Sequence, residues 1–275
     1  MALMETHYYS FSIGSNVALN ILIPTPTSSE QITSINHTQK YDYEAGLPVI
    51  YLLHGAYGDA FSWLRFSNID RYAQDRGIAV VMAEGGMSFY QNLKDGRRFE
   101  DFFAKELPQF VTSVFPVSKK REDTFIGGFS MGGYGAWYLG LKYPERYAGT
   151  ASMSGALDLP GLYAANGKKP KEENNPFNWE NAFGETLDHL EGSDRDLLSL
   201  YDRDAAAGTV PAMYQAVGYD DFLYEPNQKI RRELEKRRAP LFYEEGEGGH
   251  EWNFWDCHVQ SILDWMLKTR TEQRK

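Results

Sequence analysis

Residues 124–144 read TFIGGFSMGGYGAWYLGLKYP, and their order decides the fold. The apolar run Thr124 to Gly128 leads into Gly128-Phe129-Ser130-Met131-Gly132, a match to G-x-S-x-G. Met131 to Tyr143 reads as a helix stopped by Pro144. Strand, sharp turn and helix, in that order, are the context this motif requires. A serine on such a turn projects its hydroxyl from a strained backbone, and side chains two residues to either side would collide. Glycines at 128 and 132 remove that crowding. The helix that follows aims its N-terminus at the serine, where free N–H groups and the dipole favour developing negative charge. The competing reading is a phosphate loop. Its Gly-Lys-Ser/Thr ending is missing, and no G-x-G-x-x-G opens the helix. Ser130 is the candidate nucleophile.

Similar apolar runs recur at Val49 to Leu53, Ile78 to Ala83, Gly149 to Ser154, Ala212 to Val217 and Leu241 to Glu244. Such runs suit strands buried on both faces of a mainly parallel sheet. Tyr8 to Ser12 and Val17 to Ile23 read as two more strands, joined through the hairpin signal Gly14-Ser15-Asn16. Between the runs lie helical patterns. Phe99 to Val114 carries Phe99, Phe102, Phe103, Leu107, Phe110, Val111 and Val114 at helical spacing, with Pro108 as a kink. Asn227 to Arg238 and Glu251 to Arg270 read as two further helices. Strand alternating with helix implies right-handed crossovers and a three-layer α/β/α architecture. One domain is expected over residues 1–275. Residues 24–46 read as a polar surface loop. Residues 157–198 break the rhythm with Gly, Pro, Asn and charge around Tyr163, Phe177, Trp179 and Phe183; they read as an insertion over the strand ends, either a small lid or a solvent loop.

Composition narrows the function classes. The 275 residues include 28 Lys+Arg and 38 Asp+Glu, for a formal net charge of −10, which argues against a nucleic-acid partner. Basic runs at Lys229 to Arg238 and Lys268 to Lys275 read as a solvated helix face and a frayed tail. The one cysteine, Cys257, excludes an internal disulfide framework and a paired-thiolate metal site. Phe125 to Leu141 is uncharged over 17 residues but holds six glycines, too short and too Gly-rich for a lipid-facing helix. The N-terminal MALMETHYYSFSIG places an acid at Glu5 and no basic residue before an apolar run, so no signal peptide and a cytoplasmic location are expected. The sequon Asn36-His37-Thr38 reads as accidental.

A serine hydroxyl needs a base to remove its proton. Of the six histidines, His7 and His37 fall in the peripheral N-terminal part and His189 in the insertion. His258 lies about two turns into the last helix. His250 sits in Gly246-Glu247-Gly248-Gly249-His250-Glu251-Trp252, a turn between the last strand and the last helix, where this fold would deliver a base to the strand ends. His250-Glu251 begins like H-E-x-x-H, but Phe254 occupies the second histidine position and the zinc reading fails. The orienting acid should follow the strand at 212–217, and spacing alone leaves Asp220 and Asp221 open. A second Gly-rich turn, His54-Gly55-Ala56-Tyr57-Gly58, follows the strand at 49–53 and is placed to offer an N–H to an oxyanion alongside that of Met131. His54 itself reads as a buried structural histidine.

Together, YLLHGAYGDAFSW at 51–63, FIGGFSMGGYGAWYLGLKYPERY at 125–147, VGYDDFLYEPNQK at 217–229 and GGHEWNFWD at 248–256 resemble the esterase D-like family of α/β-hydrolases. Within it the sequence is most similar to bacterial tributyrin esterases. The likeness runs from about Tyr8 to Leu267 and is weakest at 24–46 and in the insertion. It implies the α/β-hydrolase fold and hydrolysis of short-chain acyl esters. It implies Ser130 as nucleophile and His250 as base, and its G-x-x-D-F-L pattern falls on Gly218 to Leu223, which selects Asp221 as the acid. The oxyanion amides fall on Met131 and Ala56, the latter a position often larger in relatives. Acyl transfer to water is then implied, with a small-molecule ester as partner and neither metal nor organic cofactor. Feruloyl or acetylxylan esterase, S-formylglutathione hydrolase and acyltransferase activities are alternatives on the same residues, and a non-catalytic binding protein is the remaining one. Trp63, Tyr90, Trp179 and Trp252, with Phe89 and Phe254, are candidates for a substrate cleft. An aromatic-rich surface and the resemblance point to a homo-oligomer.

Overall fold

The computed structural model describes residues 1–26, 41–166, 179–184 and 190–274. The sequon, His37, Phe177 and His189 lie outside them, as do the side chains of Tyr163 and Trp179. The apolar runs form the middle of the sheet for a reason visible in their burial. In β3 (Val49–Leu53), Val49, Tyr51 and Leu53 join one core while Ile50 and Leu52 join the other. In β4 (Ala79–Ala83), Ala79, Val81 and Ala83 are divided from Val80 and Met82 in the same way. Side chains alternate with period two, so a strand covered on both faces needs an apolar residue at every position.

The sheet also contains β1 (Ala2–Ser10), β2 (Ser15–Ile23), β5 (Thr124–Phe129), β6 (Gly149–Met153), β7 (Ala212–Gly218) and β8 (Leu241–Gly246). Its order is β1-β2-β4-β3-β5-β6-β7-β8; β2 runs antiparallel to both β1 and β4, and the other pairs are parallel. The first strand begins well before the expected Tyr8. From Leu3 to Tyr9 it alternates exposed and half-buried residues, as an edge strand covered on one face does.

The helices are α1 (Ser62–Phe66), α2 (Ile69–Arg76), α3 (Phe99–Asp101), α4 (Leu107–Val114), α5 (Met131–Lys142), α6 (Leu159–Asn166), α7 (Trp179–Phe183), α8 (Leu197–Ala207), α9 (Tyr224–Lys236) and α10 (Trp252–Gln273). α3, α4, α5, α8 and α9 cover one face of the sheet, and α1, α2 and α10 the other. The helical pattern at 99–114 is not one regular helix. Between α3 and α4 the chain widens into a π-type segment, Phe102–Glu106, just ahead of Pro108, which lacks the N–H that a regular turn would use. α8 was not foreseen; Asp196 caps it by accepting the Leu198 N–H at 3.2 Å. Within the expected insertion, Phe183 is buried against Phe89 and Tyr134, and Asn181 exchanges hydrogen bonds with Asp95. That part is docked on the domain. Among the described residues no helix is long and apolar enough to cross a membrane.

Candidate active site

β5 lies between β3 and β6, so the residue that follows it stands at the centre of the carboxyl edge of the sheet. That residue is Ser130, with φ 56° and ψ −121°, a conformation that L-residues rarely adopt. The flanking glycines explain how the turn fits. A Cβ at Gly128 would stand 2.5 Å from the Gly132 carbonyl oxygen, and one at Gly132 would stand 2.6 Å from the carbonyl oxygens of His54 and Leu53. The serine amide donates to the Met153 carbonyl at 3.0 Å, which ties the turn to β6.

β7 and β8 deliver the other two side chains to the same edge. Tyr219 N–H donates to Gly246 O at 2.8 Å and Asp220 N–H to Gly248 O at 3.0 Å, binding the loop after β7 to the loop after β8. Across this junction His250 Nδ1 lies 3.1 and 3.0 Å from the two carboxylate oxygens of Asp221, and His250 Nε2 lies 2.9 Å from Ser130 Oγ. The Asp221 side chain is wholly buried, whereas Asp220 is exposed. Burial pushes the Asp221 pKa up, but hydrogen bonds from His250 and Ser154, the nearby imidazole and the Leu223 N–H outweigh it and hold the carboxyl below its usual range. The edge of Trp255 meets the His250 ring at 5.1 Å between centroids, and Phe222 lies 4.5 Å away at a tilt.

Ser154 is a residue the sequence reading missed. It follows β6 at φ 49°, is fully buried, accepts from Trp255 Nε1 at 3.1 Å and bonds the Asp221 carboxylate. A lone serine at a strand end carries no motif, so only the folded chain reveals it.

Two backbone N–H groups near Ser130 are left to be placed, those of Ala56 and Met131. Ala56 lines the cavity that contains Ser130 and His250, and Met131 is the first residue of α5. Among the described residues neither amide has a protein acceptor. The cavity, about 610 Å³ and open to solvent, is walled by Phe66, Phe129, Phe222, Trp252 and Trp255. Phe129 stacks on Trp255 at 4.1 Å and meets Trp252 edge-on at 4.8 Å, so the inner wall is close-packed aromatic surface.

The aromatic candidates divide. Trp252 lines the cavity. Trp63 and Tyr90 do not: Trp63 is buried under Phe129 and donates to Leu53 O at 3.2 Å, and Tyr90 is fully buried and donates to His54 O at 2.8 Å. Each has an apolar body with a satisfied polar tip, and core packing uses that as readily as a cleft does. Phe89 and Phe254 are also core residues. Trp179 opens α7, and its side chain is outside the described residues. His7 is exposed on β1, while His258 lies 3.3 Å from Glu244. His54 is buried, as a structural histidine should be.

The family described as "Putative esterase" matches residues 28–266. An acetyl esterase of Caldicellulosiruptor saccharolyticus is 34% identical over 274 residues, covering 98% of this chain and 99% of that protein. Among solved structures, the fluorophosphonate-binding serine hydrolase F of Staphylococcus aureus superposes with a TM-score of 0.82 at 30% identity, covering 96% of this chain and 98% of that one. An S-formylglutathione hydrolase of Staphylococcus aureus superposes with a TM-score of 0.80 at 30% identity and the same coverage. The chain therefore belongs to this esterase family, and it is a carboxylic ester hydrolase of the α/β-hydrolase fold.

Proposed function

We propose that the protein hydrolyses short-chain acyl esters of the acetyl-to-butyryl class through an acyl-enzyme on Ser130. The carrying observation is the unbroken line from Ser130 Oγ through His250 to the buried Asp221; the Ala56 and Met131 amides, without a protein acceptor among the described residues, support it. His250 takes the serine proton as Oγ attacks the ester carbonyl, and Asp221 holds the imidazole with Nδ1–H toward the carboxylate. The two amides stabilise the tetrahedral oxyanion, each worth about 3 kcal/mol. His250 then protonates the departing alcohol, and a water molecule repeats the sequence on the acyl-enzyme. The acyl limit follows from the wall: a long chain directed inward meets Phe129, Trp252 and Trp255 already packed on one another.

Fluorophosphonate labelling of the wild type and Ser130→Ala, with hydrolysis of p-nitrophenyl acetate, butyrate and octanoate, tests this reading. Stoichiometric labelling that disappears in the variant, a kcat lower by about 10⁶ in Ser130→Ala, and activity falling from butyrate to octanoate are expected. A folded wild type that neither labels nor turns over overturns it. The S-formylglutathione hydrolase neighbour motivates a second reading, thioester hydrolysis on the same residues. Turnover of S-formylglutathione well above that of p-nitrophenyl acetate would favour it.

A further inference from the structure

Resting on this esterase reading of the site, we infer that Glu251 sets the charge preference of the leaving-group side, favouring cationic and neutral alcohols over anionic ones. The departing oxygen must come within hydrogen-bond reach of His250 Nε2, the atom that protonates it. The residues that flank His250 are therefore neighbours of the leaving group. Two of them are Phe222, tilted against the imidazole, and Glu251, the next residue in the chain. Both line the cavity and both are exposed. Glu251 is the only formally charged side chain, apart from the titratable His250, among the described residues that line it. Its carboxylate accepts the Gly249 N–H at 3.3 Å. Among the described residues no Lys or Arg lines the wall to offset it; Arg65 lies over the Phe66 ring without lining the cavity.

The rest of the rim reinforces that sign. Tyr57 and Phe222 are 69% and 73% exposed, and Phe66 is half-exposed. Aromatic faces attract cations through their quadrupole and give a carboxylate or phosphate nothing to bond. One carboxylate set among open aromatic rings suits an alkylammonium or an uncharged alcohol. A carboxylate-bearing alcohol would meet repulsion from Glu251 with no cationic side chain among the described lining residues to offset it.

Acetyl esters of 4-hydroxybenzoate, of its methyl ester and of (4-hydroxyphenyl)trimethylammonium supply anionic, neutral and cationic leaving groups of like shape. Their kcat/KM values are compared between wild type and Glu251→Gln, at about 10 mM and about 500 mM salt. Intrinsic leaving-group reactivity cancels when the cation-to-anion ratio of one protein is divided by that of the other. This double ratio is expected at about 3- to 10-fold in low salt, falling toward one in high salt. Glu251→Lys, which reverses the charge, gives a larger double ratio than Glu251→Gln. Turnover of all three esters with a double ratio of one in low salt, or a lysine double ratio no larger than that of glutamine, overturns the inference and leaves the esterase reading intact. No turnover of any of the three by a folded wild type overturns the esterase reading, and this inference with it.

Discussion

The imidazole of His54 donates from Nδ1 to the carbonyl oxygen of Gly55 at 2.8 Å. Its other nitrogen is occupied: Nε2 accepts the Gly85 N–H at 2.8 Å, which assigns the proton to Nδ1. The Gly55 oxygen and the Ala56 N–H are the two ends of one planar peptide, so a grip on the oxygen fixes the direction of the N–H. Tyr90, donating to His54 O, holds the preceding peptide in the same way. The histidine that the sequence reads as structural is thus an anchor for a proposed oxyanion donor.

Among the described residues, His54→Ala leaves the Gly55 oxygen with only the Gly58 N–H, at 3.1 Å. We expect kcat to fall by on the order of 10², as when one oxyanion donor is misplaced, with KM moving far less. Steady-state kinetics and the rate of fluorophosphonate labelling measure it. An unchanged kcat in a folded variant would show that the peptide keeps its orientation without the imidazole.

The acid side separates two adjacent residues. Asp221→Asn is expected to lower kcat by roughly 10⁴, because the amide imposes the wrong imidazole tautomer. Asp220→Asn should leave kcat close to wild type, since that side chain is exposed. Ser154→Ala falls between them, at about tenfold, because it removes one hydrogen bond to Asp221 and strips Trp255 Nε1 of its acceptor. Kinetics on the three variants rank them. Damage from Asp220→Asn with a benign Asp221→Asn would reassign the acid.

Gly132→Ala tests the packing of the turn. Its Cβ would press on two backbone oxygens, those of His54 and Leu53, and backbone cannot swing aside as a flexible side chain does. A stability loss of about 3 kcal/mol is expected, equivalent to a fall in Tm of about 6–12 °C. Calorimetry reads it directly. A Tm within a degree of wild type would mean that the helix and the His54 loop part without penalty.

These contrasts show which features local sequence can carry. The turn at Ser130 was legible because apolar strand, glycine pair and helix are adjacent in the chain. The buried strands were legible because burial on both faces leaves an unbroken apolar signature, as at 49–53 and 79–83. Asp220 and Asp221 share one turn, and which of them turns inward depends on hydrogen bonds to the loop after β8, about thirty residues away. Spacing holds no record of that. Trp63 and Tyr90 were misjudged because a ring has the same composition in a core as in a cleft. Ser154 was invisible because its role depends on Trp255 and Asp221, which come from distant segments.

Asp123 should control acid stability from the opposite end of the sheet. Its buried carboxylate receives Arg270 Nε at 2.5 Å, Arg274 Nη2 at 2.7 and 2.9 Å and Ser118 Oγ at 2.6 Å, joining the end of α10 to the start of β5. Burial pushes its pKa up, but the Ser118 and Arg270 hydrogen bonds and the two guanidinium charges prevail, so the folded value lies below the ordinary one. The native state therefore binds fewer protons here than the unfolded chain. The stabilisation is complete above the unfolded pKa, about 4, and is lost as pH falls through the folded value. Asp123→Asn is expected to cost about 2 kcal/mol at neutral pH, less than a fully buried pair because both arginines are partly exposed. Thermal melts of both proteins from about pH 7 to about pH 3 should show Tm curves that converge below about pH 4. A Tm difference that stays constant across that range would mean that Asp123 contributes through shape and hydrogen bonding, with its charge adding nothing.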